Sequence, residues 1–151
     1  MNENQKITVL FVCTGNSCRS QMAEAMVRAW AGDRVEVMSA GSHPAREIAP
    51  TTTIVMHEIG IDVSGQKTKG FESVQDKRWD YVITLCDHAR DFCPVFHSKA
   101  GISKMLHWSI PDPMTASNDP IKSLEAYRSA RDDIAARIKK WLKEELGIRV
   151  D

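Results

Sequence analysis

Residues Ile7-Thr8-Val9-Leu10-Phe11-Val12-Cys13-Thr14-Gly15-Asn16-Ser17-Cys18-Arg19-Ser20 decide how this chain is read. Ile7 to Val12 is a run rich in β-branched and aromatic residues that ends at a polar loop, the pattern of a buried strand. From Ser20 to Trp30 the apolar residues Met22, Ala23, Met26, Val27 and Trp30 recur at helical spacing, and Gly32 is placed to cap that helix. The same alternation continues outward. Val35 to Ala40, Tyr81 to Leu85 and Ser103 to Trp108 read as further strands. Ile48 to Ile59 reads as a weaker helix, because Thr51, Thr52 and Thr53 are β-branched in a row. Asp119-Pro120 opens a last helix with a cap and a first-turn proline. Its stripe is Leu124, Tyr127, Ile134, Ile138, Trp141 and Leu142, and Gly147 ends it. Strand alternating with helix predicts an α/β fold: a single three-layer domain, residues 1–151, with a four-stranded parallel sheet and helices on both faces. Ligands in such sheets sit at the carboxyl ends of strands, which points to Cys13, Cys86 and Asp112.

The chain has 151 residues, 42% hydrophobic and 26% charged, which suits one soluble globular domain. Twenty basic and twenty acidic side chains cancel, so the basic excess of a nucleic-acid binder is absent. No apolar run approaches the ~20 residues of a membrane span. Met1 to Lys6 lacks the layout of a signal peptide. The expectation is a cytoplasmic monomer with neither a nucleic-acid nor a membrane partner. Its four cysteines would be reduced at rest, as core filler, metal ligands or reactive thiols.

A cysteine, five residues and an arginine between a strand and a helix is a way to hold a tetrahedral oxyanion around a thiolate. Backbone N–H groups of Thr14, Gly15, Asn16, Ser17, Cys18 and Arg19 would point inward, with Gly15 permitting the curl. The helix N-terminus adds partial positive charge and Arg19 a bidentate fork. That field favours the thiolate and makes Cys13 a nucleophile. Ser20 is placed to donate a hydrogen bond to it. The bland alternative is a strand-to-helix turn with a buried cysteine, and Cys18 itself reads as loop filler. Asp112, between Pro111 and Pro113, is either a rigid turn or a general acid.

The stretch from Val9 to Ser20 resembles the anion loop of the low-molecular-weight protein tyrosine phosphatase fold, and Pro111-Asp112-Pro113 resembles that family's acid loop. Thr84-Leu85-Cys86, Cys93 and Ser39-Ala40-Gly41 are similar to the thioredoxin-coupled arsenate reductases built on that fold. The resemblance runs from about Ile7 to Leu146. It implies that Cys13 attacks the arsenic of arsenate while Arg19 and the loop amides hold the oxygens. Asp112 would protonate the departing oxygen. Cys86 would resolve the adduct, Cys93 would then attack Cys86, and thioredoxin would be the electron donor, with no bound cofactor. Phosphate and sulfate would compete for the loop. In several relatives a potassium ion is held partly by residues matching Asn16, Glu24 and Ser39. Here Lys69 stands where a carboxylate is expected, which argues against a potassium requirement.

Cys86 and Cys93 are seven residues apart. An intact helix would separate them by ~10 Å, beyond the ~7 Å between Cα atoms that a disulfide tolerates. The polar segment between them must therefore loosen on oxidation, and the disulfide is expected at the surface. A zinc site from Cys86, His88, Cys93 and His97 fits no common ligand spacing. Two other functions share the loop. A phosphatase acting on phosphotyrosine or small phosphate esters would need neither Cys86 nor Cys93, and Met114 weighs against an aromatic-lined phosphotyrosine slot. A non-catalytic redox or oxyanion sensor would need no turnover.

Overall fold

The structure, a computed structural model, describes residues 5–87 and 95–151. One sheet holds β1 (Ile7–Cys13), β2 (Val35–Gly41), β3 (Trp79–Thr84) and β4 (Ile102–His107), in the order β2-β1-β3-β4. All pairings are parallel. β1 lies inside the sheet, and Val9, Leu10, Phe11 and Val12 are fully buried. Both faces of that strand are covered, so it reads as a continuous apolar run rather than an alternation.

Three α-helices accompany the sheet among the described residues: α1 (Arg19–Ala31), α2 (Pro50–Glu58) and α3 (Pro120–Leu146). The Asp119 carboxylate caps α3 by accepting from Ile121 N at 3.2 Å, and Gly147 ends it in the left-handed region at φ 68°. Gly32 follows α1 as expected but stays right-handed, at φ −62°. α2 forms despite its three threonines. Thr52 is fully buried and its hydroxyl donates to Ser17 O at 3.1 Å, a tertiary contact that outweighs weak local propensity.

The two faces are covered unequally. α1, α2 and α3 pack on the face carrying Val9, Phe11, Val37 and Ile83. The other face carries Leu10, Val12, Ala40 and Val82, and is closed by Val74, Phe96 and a 3₁₀ turn at Phe71–Ser73. Phe71 and Phe96 meet edge to face at 5.2 Å. On the helix side, Trp141 stacks edge-on against Tyr81 and Trp108. Among the described residues no helix is long and apolar enough to cross a membrane.

Chain order explains where a ligand belongs. From β1 the chain moves to β2 on one side, then crosses to β3 on the other. The crevice at the carboxyl ends of β1 and β3 is therefore the switch point of the sheet. Cys13 ends β1 and Cys86 lies two residues beyond β3. Val12 pairs with Thr84 in register, and Leu85 N donates to Val12 O at 2.9 Å, so the two segments leave the sheet side by side.

Candidate active site

The loop from Cys13 to Cys18 is turned inside out by its neighbours. Thr14 O accepts from His43 N at 2.9 Å and Gly15 O from Ala45 N at 2.8 Å. Asn16 O accepts from Gln21 Nε2 at 3.0 Å. Ser17 O accepts from Ala49 N at 3.0 Å and from the Thr52 hydroxyl at 3.1 Å. In a planar trans peptide the C=O and the following N–H point in opposite directions. Carbonyls pulled outward thus aim the N–H groups of Gly15, Asn16, Ser17 and Cys18 into the loop, making a nest for an anion. Asn16 N confirms the direction, for it donates to Cys13 Sγ at 3.2 Å. The N-terminus of α1 has no side-chain cap, so its dipole faces the same space.

The curl itself is made by Asn16, not by Gly15 as expected. Asn16 has φ 51°, while Gly15 does not enter the left-handed region. Asn tolerates this conformation, and here its fully buried amide is tied on every side. Oδ1 accepts from Lys69 N at 2.8 Å and from Gln21 Nε2 at 2.9 Å. A backbone N–H can only donate, so the amide orientation is fixed. Nδ2 then donates to Ser20 Oγ at 2.8 Å and to Ser39 Oγ at 2.9 Å. Because Ser20 Oγ accepts from Asn16, its own hydrogen is directed to Cys13 Sγ, 2.8 Å away. The glycine that the site does need for close approach is Gly41. A Cβ there would stand 2.4 Å from Thr14 O and 3.0 Å from Asn16 N.

Behind this layer the Glu24 carboxylate is buried. It accepts from Ser39 Oγ at 2.7 Å and pairs with Lys69 Nζ at 3.3 Å and Arg28 at 2.9 Å. The expected replacement of a carboxylate by Lys69 thus puts an ammonium beside Glu24. Asn16 Oδ1, Ser39 Oγ and the Glu24 carboxylate, the oxygens named above for a potassium ion, each take part in this hydrogen-bond network.

Arg19 is buried and its guanidinium donates to Ile110 O at 2.9 Å, with Asp112 Oδ2 3.8 Å away. The other carboxylate oxygen of Asp112 accepts from Met114 N at 2.9 Å and caps a 3₁₀ turn at Pro113–Thr115. One oxygen is therefore held while the other faces the loop. Met114 Sδ lies 3.5 Å from Ser17 Oγ, so the methionine forms part of the rim. Cys18 is buried beneath it. Its thiol is pushed up to about 12, first by desolvation and then by the charge on Cys13. Tyr127 from α3 lies near Cys18, and burial chiefly raises its phenol.

Cys13 and Cys18 are free thiols, whereas Cys86 is disulfide-bonded and fully buried. The expectation of an exposed disulfide is not met at its Cys86 end. Cys93, the loosening segment and the His88 part of the zinc alternative lie outside the described residues. Sequence reasoning assembled Cys13, Arg19, Ser20 and Asp112, which the fold brings together. It missed Gln21, Thr52 and the 43–49 strip. Backbone donors carry no sequence signal, and Gln21 looks like an ordinary polar residue between Ser20 and Met22.

A family model described as low molecular weight phosphotyrosine protein phosphatase matches residues 8–149. The arsenate reductase of Halalkalibacterium halodurans is 40% identical over 136 residues, 90% of this chain and 94% of that protein. A solved arsenate reductase in the phosphate binding state superposes with a TM-score of 0.72 at 29% identity, over 91% of this chain and 98% of the other. The thioredoxin-dependent arsenate reductase of Corynebacterium glutamicum superposes with a TM-score of 0.65 at 29% identity, over 94% of this chain and 63% of its own. With the match running over residues 8–149 and taking in the whole anion loop, this chain belongs to the low molecular weight phosphotyrosine protein phosphatase family.

Proposed function

We propose that this protein is an arsenate reductase that passes two electrons from thioredoxin to arsenate through Cys13, Cys86 and Cys93. The observation that carries the reading is the pairing of a free Cys13 inside an anion nest with a disulfide-bonded Cys86 at the neighbouring strand end. A hydrolytic phosphatase regenerates its cysteine with water and has no use for the second sulfur. Similarity to arsenate reductases over most of the chain points the same way.

In this reading the Cys13 thiolate attacks As(V), and Arg19 and the loop N–H groups hold the remaining oxygens. Asp112 gives a proton to the oxygen that leaves as water. The Cys86 thiolate then attacks Cys13 Sγ. A sulfur–sulfur bond forms, the S–As bond breaks, and its electron pair stays on arsenic as arsenite. Two thiols are oxidised and one arsenic is reduced by two electrons. Cys93 attacks Cys86 and frees Cys13. Thioredoxin reduces the resulting disulfide. Phosphate and sulfate occupy the same nest and compete, because it reads tetrahedral shape and charge.

Lys69 supplies the positive charge behind Glu24, so replacing sodium by potassium should leave the arsenate KM unchanged. A stimulation of several-fold would contradict that part. The activity is tested by following NADPH oxidation through thioredoxin reductase and thioredoxin, with and without arsenate. Arsenate-dependent oxidation that vanishes in Cys13→Ser and Cys86→Ser is expected. Phosphate-ester hydrolysis that persists when both Cys86 and Cys93 are replaced, without arsenate-dependent oxidation, would favour the phosphatase reading instead.

A further inference from the structure

Three of the four outward tethers on the anion loop include backbone N–H groups, from His43, Ala45 and Ala49. The tether on Asn16 O is different, because it comes from a side chain, Gln21 Nε2 at 3.0 Å. Gln21 is fully buried on the first turn of α1. Asn16 Oδ1 and Lys67 O also lie 2.9 Å from this nitrogen, so its two hydrogens are shared among three acceptors. Gln66 holds it from behind. Gln66 Nε2 donates to Gln21 Oε1 at 2.7 Å and to Gln21 O at 3.1 Å, and Arg28 donates to Gln66 Oε1 at 2.8 Å. Gln66 therefore keeps the Gln21 oxygen turned away from the loop, and the Gln21 nitrogen toward it.

We propose that Gln21 is a positioning residue for oxyanion recognition: by holding Asn16 O outward, it aims the Ser17 N–H at the bound anion, and Gln66 fixes the orientation in which it can do so. The proposal rests on the anion-loop reading given above. Gln21 touches neither the anion nor Cys13. It acts through one peptide plane. Without its donor, the Asn16–Ser17 peptide loses the hydrogen bond that opposes rotation, and Asn16 itself sits in a conformation that L residues adopt reluctantly. One N–H of the nest is then no longer preorganised, and binding must supply that order. A hydrogen bond to a charged group weakens affinity by tenfold or more when lost.

The test uses inorganic phosphate and the full-length protein. Alkylation of Cys13 by iodoacetamide is followed at fixed pH while phosphate is titrated in as a protecting anion. In the parent, phosphate should protect. In Gln21→Met, a shape-conserving change without a donor, half-protection should need about tenfold more phosphate. Gln66→Met should need an intermediate concentration. The arsenate KM of each variant should rise by the same factor while kcat changes much less. A residue that merely stabilised the fold would lower the melting temperature without moving phosphate affinity in the folded protein. Half-protection within twofold of the parent in Gln21→Met would overturn the proposal and leave the anion loop standing. If Gln21→Met does not fold, Gln66→Met decides, and an unchanged titration there overturns it. Absence of phosphate protection in the parent would overturn the anion-loop reading beneath it.

Discussion

Cys13 and Cys18 sit in one loop and are both buried, yet their surroundings make them opposites. Cys13 Sγ meets the Ser20 hydroxyl and the Asn16 N–H. Cys18 is desolvated by burial and lies near the charges of Cys13 and Asp112, which together push its thiol up to about 12. Iodoacetamide at pH 7–8 should therefore label Cys13 in the folded protein and Cys18 only after unfolding, as read by peptide mass mapping. Equal labelling of both in native protein would contradict the assignment. Cys18→Ser should keep most of the arsenate-dependent activity, whereas Asp112→Asn should lower kcat by about 100-fold as a general acid is lost. The glycines separate in the same manner. Gly41→Ala drives a methyl group into Thr14 O and should destabilise the protein by about 2–3 kcal/mol in a denaturant titration. Gly15→Ala meets only Ser17 Oγ at 3.5 Å and should be tolerated far better. The sequence spacing picked out Cys13, Arg19 and Asp112 from strand ends in an α/β sheet, and the fold brings these residues together. It misassigned the curl to Gly15, since a glycine is the default for such turns and the buried partners that hold Asn16 are spread from Ser20 to Lys69.

At the scale of elements, long apolar runs and caps were legible, and short supports were not. β1 and α3 stood out because burial on both faces and an Asp-Pro start leave clear patterns. The two 3₁₀ turns left none, since each is fixed by what it packs against. α2 was weakly legible because Thr51, Thr52 and Thr53 oppose it locally, while the contact from Thr52 to Ser17 O is tertiary. α2 is also pinned to α3 by Glu58, which binds Arg128 at 2.6 Å and Arg131 at 2.7 Å. The hydrogen bonds from Arg128 are the main reason its carboxyl falls from 4.5 to about 2. A depressed carboxyl stabilises the folded state above its unfolded value and loses that contribution on protonation. The stability difference between the parent and Glu58→Gln should thus be constant above about pH 4.5, shrink below it, and vanish near pH 2. Chemical denaturation across that range checks it, and a difference that grows toward low pH would contradict the bracket.

For the whole molecule, the sheet order places Cys13 and Cys86 at adjacent strand ends, and the helices lock one face behind them. Cys86 is disulfide-bonded and fully buried, so its own sulfur is shielded from solvent in this arrangement. The proposed relay calls for local rearrangement near residues 86 to 96 while the sheet stays fixed. Hydrogen exchange should show redox-dependent protection confined to that stretch, and a change spread across β1 and β2 would contradict it. The most direct test of the relay is to trap it halfway. Cys93→Ser, reduced and given a single equivalent of arsenate without thioredoxin, should release one arsenite per chain and accumulate a Cys13–Cys86 disulfide, identified by non-reducing peptide mapping. Release of arsenite without any disulfide that contains Cys13, or continued turnover with both thiols free, would contradict the account.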